Sequence, residues 1–387
     1  MQRRRVSRLE GMLPIGVDRM GDAADAAADP EVLRLENLDT DIPPLPAAIA
    51  ATRRAAARDA ANSYLPFAGH ARLRRAAASH VARVTGIEVD WSTQCLISAG
   101  GLNGILNVLL ALVESGDEVV LTDPTYIGLI NRVRLAGAIP RFAALRATPT
   151  GWQLDHDSLR AALSDRTRAM LLMSPSMPGG CVFHRDDWRL IAELCIERDL
   201  WLIDDAAMER ILFDGLPLIH PASFPGMRER TVVVGSASKE LRMIGWRVGW
   251  IVAPPAIADD IALIGISNVV CPVGIAQDAV AIALEAGDAN VAIATAELQA
   301  RRDLMIAELE GLPVIPPQGG WSLLLDSAAL GRDAGEASTL LLERAKVAAT
   351  AMTGWGEQAS RYVRFVFANE PVKRLRGLGE RVRRAFA

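Results

Sequence analysis

A single lysine stands between small hydroxyl residues in the stretch SASKELRMIGWRVGW, which begins at Ser236. Lys239 lies beside Ser236 and Ser238, and Arg247 follows it eight positions later. A desolvated lysine near other cations loses its proton more readily than a free one, and the neutral amine can then attack a carbonyl. Serine hydroxyls and an arginine fork can hold a phosphate group beside that amine. The stretch therefore predicts Schiff-base chemistry next to a phosphate site.

A glycine-rich segment, SAGGLNG, follows an apolar run near residue 95. It places Gly100, Gly101 and Leu102 at a strand-to-helix turn, where free backbone N–H groups and the helix dipole favour an anion such as phosphate. Glycines at such a turn also serve simply to permit a tight backbone, and the spacing differs from the dinucleotide-binding pattern G-x-G-x-x-G. The segment therefore indicates a phosphate site only in combination with the lysine stretch.

Two carboxylates end the apolar run LWLIDD, at Asp204 and Asp205. A buried carboxylate is costly unless it is paired, so one of them either caps a helix or faces a cation such as a protonated ring nitrogen. Tyr126, in DPTYIG, adds an aromatic side chain after another apolar run. A phosphate cradle, a ring-facing acid, an aromatic plate and a lysine together describe a pocket for pyridoxal phosphate.

The elements that must bring these residues together are predicted from the alternation of apolar runs with helical stretches. The runs read CLIS, EVVLTD, RAMLLMS, LWLID, TVVVG and GWIVA. This alternation favours an α/β fold with a mainly parallel sheet between helices. Ligands bind at the carboxyl ends of the strands in such sheets, and the candidate residues directly follow the runs.

The pattern changes after about Ile257 to a long helical region and then to a mixed region with strands near WSLLLD and YVRFVF. We therefore predict a second, smaller α+β domain. The predicted division is an N-terminal arm at residues 1–30, the smaller domain with an interdomain helix at residues 31–65 and 260–387, and a large cofactor-binding domain at residues 66–259.

The composition excludes several classes of protein. The 387 residues carry 42 basic and 46 acidic side chains, so no basic surface is expected to hold a nucleic acid. The apolar stretch from Ile105 to Val113 is about half of the roughly 20 residues that a membrane span needs, and is expected to be a buried helix. Neither the four cysteines nor the five histidines show metal-ligand or disulfide spacing. We expect a cytoplasmic enzyme that acts on small molecules, without a metal.

Two sequence blocks carry a resemblance to a known family. SASKELRMIGWRVGW matches the block S-x-S-K-x-x-x-x-x-G-W-R-x-G, and SYLPFAGHARLRRA matches Y-x-x-x-x-G-x-x-x-L-R. From about Arg34 to its end, the chain resembles the class I/II aminotransferases of fold type I, the aspartate aminotransferase superfamily. Between Asp186 and Val252 it is most similar to the arginine–pyruvate and aromatic-type members of bacteria. The resemblance implies ping-pong transfer of an amino group from an L-amino acid to a 2-oxo acid.

The resemblance also implies roles for individual residues. Lys239 would form the aldimine with the cofactor and move the proton during the reaction, Asp204 would face the pyridine nitrogen, and Tyr126 would stack on the ring. Arg364, in YVRFVF, would hold the substrate carboxylate, with Asn37 and Leu38 as further substrate contacts. The groups implied to hold the cofactor phosphate are the backbone of Gly100, Gly101 and Leu102, the side chains of Ser236, Ser238 and Arg247, and Tyr64 from a partner subunit of a homodimer.

The chain departs from the family pattern at three places. Met177, in SPSMPGG, occupies the position of an asparagine that donates to the phenolic oxygen of the cofactor, and Ala207 occupies that of a tyrosine with the same role. Without these donors, the pKa of the aldimine should rise unless Ser174, Ser176 or a water replaces them. The segment LENLDTDIPPL also lacks the usual glycine of the substrate loop.

These departures keep other functions open. A lyase, oxidase or cyclase that uses the same cofactor is the first alternative, and it would release ammonia or consume oxygen. A regulatory binding domain with this fold is the second, although a DNA-binding module would be expected before such a domain.

Overall fold

The computed structural model describes Val6 and residues 9–387. Its helices are α1 (Val17–Ala27), α2 (Pro46–Ala56), α3 (Ala71–Thr85), α4 (Trp91–Gln94), α5 (Gly101–Leu112), α6 (Ile127–Leu135), α7 (His156–Ala161), α8 (Arg185–Glu197), α9 (Pro255–Asn268), α10 (Gly274–Glu285), α11 (Ala289–Glu308), α12 (Ala334–Ala345), α13 (Val372–Leu375) and α14 (Leu378–Phe386). Its strands are β1 (Leu33–Arg34), β2 (Cys95–Ser98), β3 (Glu118–Asp123), β4 (Ile139–Thr148), β5 (Gly151–Leu154), β6 (Thr167–Leu172), β7 (Trp201–Asp205), β8 (Thr231–Ser236), β9 (Gly249–Val252), β10 (Val314–Ile315), β11 (Ser322–Asp326), β12 (Val347–Ala348), β13 (Thr350–Ala351) and β14 (Tyr362–Val366).

An eight-stranded sheet forms the centre of the larger part of the molecule, in the order β2-β9-β8-β7-β6-β3-β4-β5. The neighbours from β8 to β4 pair in parallel, whereas β9 is antiparallel to both of its neighbours and β5 is antiparallel to β4. The prediction of a mainly parallel sheet is confirmed. The hairpin of β4 and β5 at the sheet edge was not predicted, because β4 is partly exposed and carries no continuous apolar run.

The sheet topology brings the lysine stretch and the glycine-rich turn to one edge. Ser98 at the end of β2 and Ser236 at the end of β8 both pair with Gly249, the first residue of β9. Because β9 runs in the opposite direction, its beginning lies at the carboxyl ends of its neighbours. Arg247, two residues before β9, is therefore delivered to the same edge as Lys239.

A second sheet lies in the carboxyl-terminal part of the chain, in the order β10-β11-β14-β13, and its strands are antiparallel. Helices α11, α12 and α14 pack beside it, and the short strand β1 pairs in parallel with β12. The N-terminal segment thus joins this part of the molecule, as the smaller α+β domain requires. One continuous apolar core, with Trp152 and Trp188 on one side and Leu324 and Phe365 on the other, links the two sheets.

The predicted division of the chain differs from the packing at two segments. Helix α2 packs against α10, and both share a core cluster with Ile97, Val233 and Trp250 of the large sheet. Helix α9 packs against α5. Residues 46–56 and 255–285, most of which were assigned to the smaller domain, therefore cover the large sheet, because their apolar faces complete its core rather than that of the second sheet.

The predicted buried helix from Ile105 to Val113 lies within α5 and the residue that follows it, and its residues Ile105, Val108 and Leu109 are fully buried. No single helix among the described residues is long and apolar enough to cross a bilayer. Helices α10 and α11 pass such a test only as a pair, and they are bent by 84° relative to each other.

Candidate active site

A cavity of about 240 Å³ opens at the carboxyl edge of the large sheet. It brings together most of the residues that were singled out in the sequence, although these come from six separate segments of the chain. The predicted residues that line it are Leu38, Gly101, Leu102, Tyr126, Met177, Ala207, Ser236, Ser238, Lys239 and Arg247, and they are joined by Met173, Asp205 and Ile244.

Lys239 lies at the base of this cavity. Its Nζ donates a hydrogen bond of 2.9 Å to the carbonyl oxygen of Leu38 and lies 4.2 Å from the ring centroid of Trp321. Burial, together with the nearby Arg364 guanidinium, lowers the pKa of Lys239 to about 7. The amine is therefore substantially neutral at neutral pH, which is the form that attacks an aldehyde.

The phosphate cradle is built by two glycines that approach each other and Arg247 closely. Gly100 has φ +91°, and a Cβ on it would lie 2.5 Å from Nη2 of Arg247. A Cβ on Gly249 would lie 2.6 Å from the carbonyl carbon of Gly100 and 2.7 Å from the nitrogen of Gly101. Side chains at either position would fill the space in front of the helix α5, whose first amides point there.

Side chains complete the cradle. Nη1 of Arg247 donates to Oγ of Ser238 at 3.3 Å and to the carbonyl oxygen of Ile244 at 2.9 Å, and the amide of Ser238 donates to Oγ of Ser236 at 3.2 Å. Both serine hydroxyls thus accept within the loop and keep their own protons for a ligand. This donor set of backbone amides, hydroxyls and one guanidinium fits a phosphate monoester.

The carboxylate at the cavity is Asp205, not Asp204. Successive side chains of a strand point to opposite faces, and Asp205 lines the cavity with Lys239, whereas Asp204 does not. Oδ2 of Asp204 lies 3.1 Å from Nε2 of His220, and both side chains are buried. The prediction that Asp204 faces the cofactor is therefore wrong, because the acid of the family motif corresponds to the next residue, Asp205.

One backbone hydrogen bond and several nearby charges act on the Asp205 carboxylate. Its Oδ1 accepts a hydrogen bond of 3.3 Å from the amide of Ala207. The pKa of Asp205 is raised to about 7, mainly by burial and also by the charge of Asp204, whereas the Ala207 hydrogen bond and the cations Arg132 and Lys239 act to lower it. A protonated ring nitrogen in front of Asp205 would supply the counter-charge that the buried carboxylate lacks.

The one-residue correction also moves the position of the missing tyrosine. The family pattern places that tyrosine three residues after the acid, and counting from Asp205 gives Met208 instead of Ala207. Met208 is buried and carries no hydroxyl, so the departure from the family remains. Ala207 lines the cavity, where its small side chain leaves room for a ring.

Tyr126 stands at the opposite wall of the cavity. Its ring centroid lies 5.2 Å from that of Trp355, at an interplanar angle of 59°. A Cβ on Gly128 would lie 2.3 Å from the Tyr126 ring, so only glycine at this position permits the observed orientation. This placement fits the predicted stacking role.

Arg364 lies on β14 behind the cavity and is completely buried. Its Nη2 donates to the carbonyl oxygen of Glu36 at 2.8 Å, and its guanidinium carbon lies 4.8 Å from the Trp355 ring centroid. Its Nε and Nη1 have no hydrogen-bond partner among the residues that the structure describes. Burial lowers the pKa of Arg364 to about 10, so it stays charged at neutral pH. Two unpaired donors on a buried guanidinium fit a bidentate carboxylate.

The two serines that could replace the donor missing at Met177 lie outside the cavity lining. Met177 lines the cavity, whereas Ser174 and Ser176 do not. The hydroxyl of Ser174 accepts from the amide of Phe183 at 2.9 Å, and that of Ser176 accepts from the amide of Cys181 at 3.1 Å. Both serines therefore stabilise their own loop.

The remaining predicted residues lie outside the cavity. Tyr64 is 81% exposed and does not approach the site of its own chain. Asn37 is partly buried and does not line the cavity, whereas its neighbour Leu38 does.

Four residues near the site were missed in the sequence. Met173 and Ile244 line the cavity, Trp321 faces Lys239, and Trp355 contacts both Tyr126 and Arg364. Met173 directly follows the apolar run of β6, which was a usable signal. Ile244 lies within the lysine stretch itself, whereas Trp321 and Trp355 lie on segments that approach the site only through the packing of the second sheet.

A lysine and a phosphate cradle at the carboxyl edge of a mainly parallel sheet, with a second α+β sheet beside it, define a pyridoxal-phosphate-dependent transferase of fold type I. Comparison with known proteins specifies the class further. The family model described as "Aminotransferase class I and II" matches residues 32–382. The chain belongs to this family of pyridoxal-phosphate-dependent enzymes, which move an amino group from an amino acid to a 2-oxo acid.

Several characterised proteins are similar to this chain. Arginine–pyruvate transaminase of Pseudomonas aeruginosa is 33% identical over 80% of this chain and 79% of its own length. Human kynurenine–oxoglutarate transaminase 3 is 31% identical over 79% of this chain and 71% of its own length. The solved structure of N-succinyldiaminopimelate aminotransferase from Mycobacterium tuberculosis has a TM-score of 0.91 and 32% identity, and 99% of each chain is covered.

Proposed function

We propose that this aminotransferase works through Lys239, Asp205, Tyr126 and Arg364, with the phosphate held by the cradle around Gly100 and Arg247. The observation that carries this proposal is the position of Lys239, which is partly buried and lines the same cavity as Asp205 and Arg247. When bound, pyridoxal phosphate supplies an aldehyde for amines and a ring that accepts electrons.

The side chains divide the work between binding and proton transfer. Arg364 binds the α-carboxylate through Nε and Nη1, because these donors are buried and unpaired. Lys239 takes a proton from the substrate Cα and returns it, which requires a pKa near the working pH. Asp205 keeps the ring nitrogen protonated, and Trp355 fixes the distance between Tyr126 and Arg364 by contacting both.

We propose a homodimer with shared sites, in which Tyr64 reaches the phosphate of the partner subunit. Large apolar side chains are exposed on the loop before α3 and on the segment that includes α9: Tyr64, Phe67, Leu263, Ile266, Val270 and Val273. A surface patch of this kind marks a protein interface. Sedimentation of the loaded enzyme should give a dimer, and Tyr64→Phe should weaken cofactor binding.

A cytoplasmic location is proposed from the cysteines. All four are free, and burial raises the pKa of Cys95, Cys181 and Cys195, so these thiols stay unreactive. Expression of a tagged chain followed by fractionation would test the location.

The test of the function is a half-reaction of the loaded enzyme with single amino acids. In a transaminase, each site converts its bound cofactor to the amino form, which changes the visible absorbance, and releases one molecule of 2-oxo acid. Ammonia release or oxygen uptake would favour a lyase or an oxidase instead. Lys239→Ala should abolish the conversion, and an unchanged turnover of that variant would contradict the proposal.

A further inference from the structure

We propose that the site takes amino acids and 2-oxo acids that carry a single carboxylate and an uncharged, apolar side chain, and that it disfavours dicarboxylic acids. This inference rests on the proposed function, because it concerns the substrate of that same site. It is argued from the cations and anions around Lys239 and Arg364 and from the walls between them.

Each cation at the site already binds a group of the substrate or of the cofactor in the proposed reaction. Arg364 offers its two unpaired donors to the α-carboxylate, Arg247 lies in the phosphate cradle, and Lys239 holds the cofactor. A second substrate carboxylate would need a further cation, because an unpaired carboxylate in a buried site is costly.

Arginines on the neighbouring elements are committed elsewhere. Nε and Nη1 of Arg132 donate to the carbonyl oxygens of Leu102 and Gly128, at 2.7 and 2.9 Å. The Arg242 guanidinium donates to the carbonyl oxygens of Pro43 and Glu240 and to Asn290.

Arg301, on α11, is also committed. Its guanidinium pairs with Asp41 at 2.6 Å and with Glu297 at 2.8 Å. Each of these three arginines would have to give up protein contacts in order to bind a substrate.

Two carboxylates also lie near Lys239 and Arg364, on Asp39 and Glu36. The carboxylate of Asp39 acts on Lys239 and raises its pKa, against the larger effect of burial. Glu36, whose carbonyl oxygen holds Arg364, is paired with Arg34 through Oε1 at 2.8 Å, and its buried Oε2 has no hydrogen-bond partner among the described residues. Neither Asp39 nor Glu36 therefore offers a contact that would stabilise a second substrate carboxylate.

The walls that remain for a substrate side chain are apolar. Leu38 and Ile244 line the cavity, and the buried rings of Trp321 and Trp355 lie against Lys239 and Arg364. Contact with such walls favours the binding of apolar side chains, whereas charged side chains would lose their hydration there.

Among the described residues, the segment that lies beside Tyr64 carries no cation of its own. The chain contains no lysine or arginine from Val248 to Ala300, and a Cβ on Gly274 would lie 3.4 Å from Cδ1 of Leu65. The segment beside Tyr64 is therefore this uncharged part of the chain. Arg58, the nearby arginine, is paired with Asp278.

The experiment compares acids that carry one carboxylate with acids that carry two. Enzyme with bound pyridoxal phosphate is mixed with leucine, methionine, phenylalanine, aspartate or glutamate. Enzyme with the amino form of the cofactor is mixed with pyruvate or 2-oxoglutarate, and the cofactor absorbance is followed in both cases. Binding of the unreactive acids 3-phenylpropionate and maleate is titrated in parallel. We expect kcat/KM and affinity to favour the monocarboxylates by at least about tenfold.

A matched pair of variants tests the cause. Leu38→Arg places a cation on the cavity wall and should shift the ratio toward dicarboxylates by about tenfold or more, whereas Leu38→Met should keep the original preference. The absorbance of the bound cofactor shows that each variant is folded and loaded.

Two results would contradict different proposals. Equal or faster conversion of aspartate, glutamate or 2-oxoglutarate would overturn the inferred substrate class. If no acid is converted although the cofactor is bound, the proposed function fails, and the ratio of 3-phenylpropionate to maleate affinity then decides the inference on charge by itself.

Discussion

Asp204 and Asp205 are consecutive residues whose carboxylates serve opposite faces of β7. Oδ2 of Asp204 lies 3.1 Å from Nε2 of His220 in the protein interior, and Asp205 lines the cavity with Lys239. The His220 ring is fixed from its other side, where the amide of Ala222 donates to Nδ1 at 3.2 Å. One carboxylate is therefore paired within the protein, and the other is available to a ligand.

Exchange of each acid for its amide should separate these two roles. Asp205→Asn removes the charge in front of the ring and should lower kcat by about 100-fold or more. Asp204→Asn leaves the cavity intact but weakens a buried contact, and should lower the free energy of unfolding by about 1–3 kcal/mol. Steady-state kinetics and urea unfolding measure the two effects. A larger loss of kcat in Asp204→Asn than in Asp205→Asn would show that Asp204 has the catalytic role.

The low pKa of Lys239 predicts how cofactor capture depends on pH. Burial brings this pKa to about 7, and only the neutral amine attacks the aldehyde, so the rate of capture by the cofactor-free protein should rise through pH 7 and then level. The unfolded chain holds this proton up to about pH 10, so Lys239 also makes stability rise with pH in that window. Rapid mixing with pyridoxal phosphate measures the rate.

A control is needed for the capture experiment because Asp205 also titrates near pH 7. The Asp205→Asn variant should keep the rise of the capture rate with pH if Lys239 causes it. A midpoint near the pKa of free lysine would contradict the buried environment of the amine.

Gly249 should be required for phosphate binding. A Cβ there would collide with the backbone of Gly100 and Gly101, so Gly249→Ala should push the cradle apart and weaken pyridoxal phosphate binding by about tenfold or more. Gly245 lies in the same stretch, and nothing lies within 4 Å of the Cβ that it lacks. Gly245→Ala is therefore the matched control and should bind the cofactor normally. Fluorescence titration gives both dissociation constants, and equal losses would indicate a general effect on the loop.

Met177→Asn should restore the donor that the family places at this position. A hydrogen bond to the phenolic oxygen favours its charged form, so the visible absorbance of the loaded enzyme should change at a pH about one unit lower than in the unaltered protein. Met177→Leu carries no donor and should leave the midpoint unchanged. If the asparagine variant also keeps the original midpoint, another group already supplies this hydrogen bond.

Six strands of the large sheet and the identity of the lysine could be predicted because both depend on local patterns. Apolar runs of strand length, glycines at turns and the spacing between Lys239 and Arg247 are visible within short windows of sequence. The same windows showed that Met177 lacks a hydrogen-bond donor. These short patterns are sufficient to locate the cofactor site without tertiary contacts.

The choice between Asp204 and Asp205 could be made only from the tertiary structure. Both acids end the same run, and a shift of one residue exchanges the two faces of a strand, which short motifs do not specify. The packing of α2, α9 and α10 on the large sheet was likewise invisible, because an apolar helix face does not indicate which sheet it covers. The sequence by itself determined the lysine, the phosphate cradle and the sheet, whereas the fold decided which carboxylate faces the cavity and that Trp321, Trp355 and Glu36 surround Lys239 and Arg364.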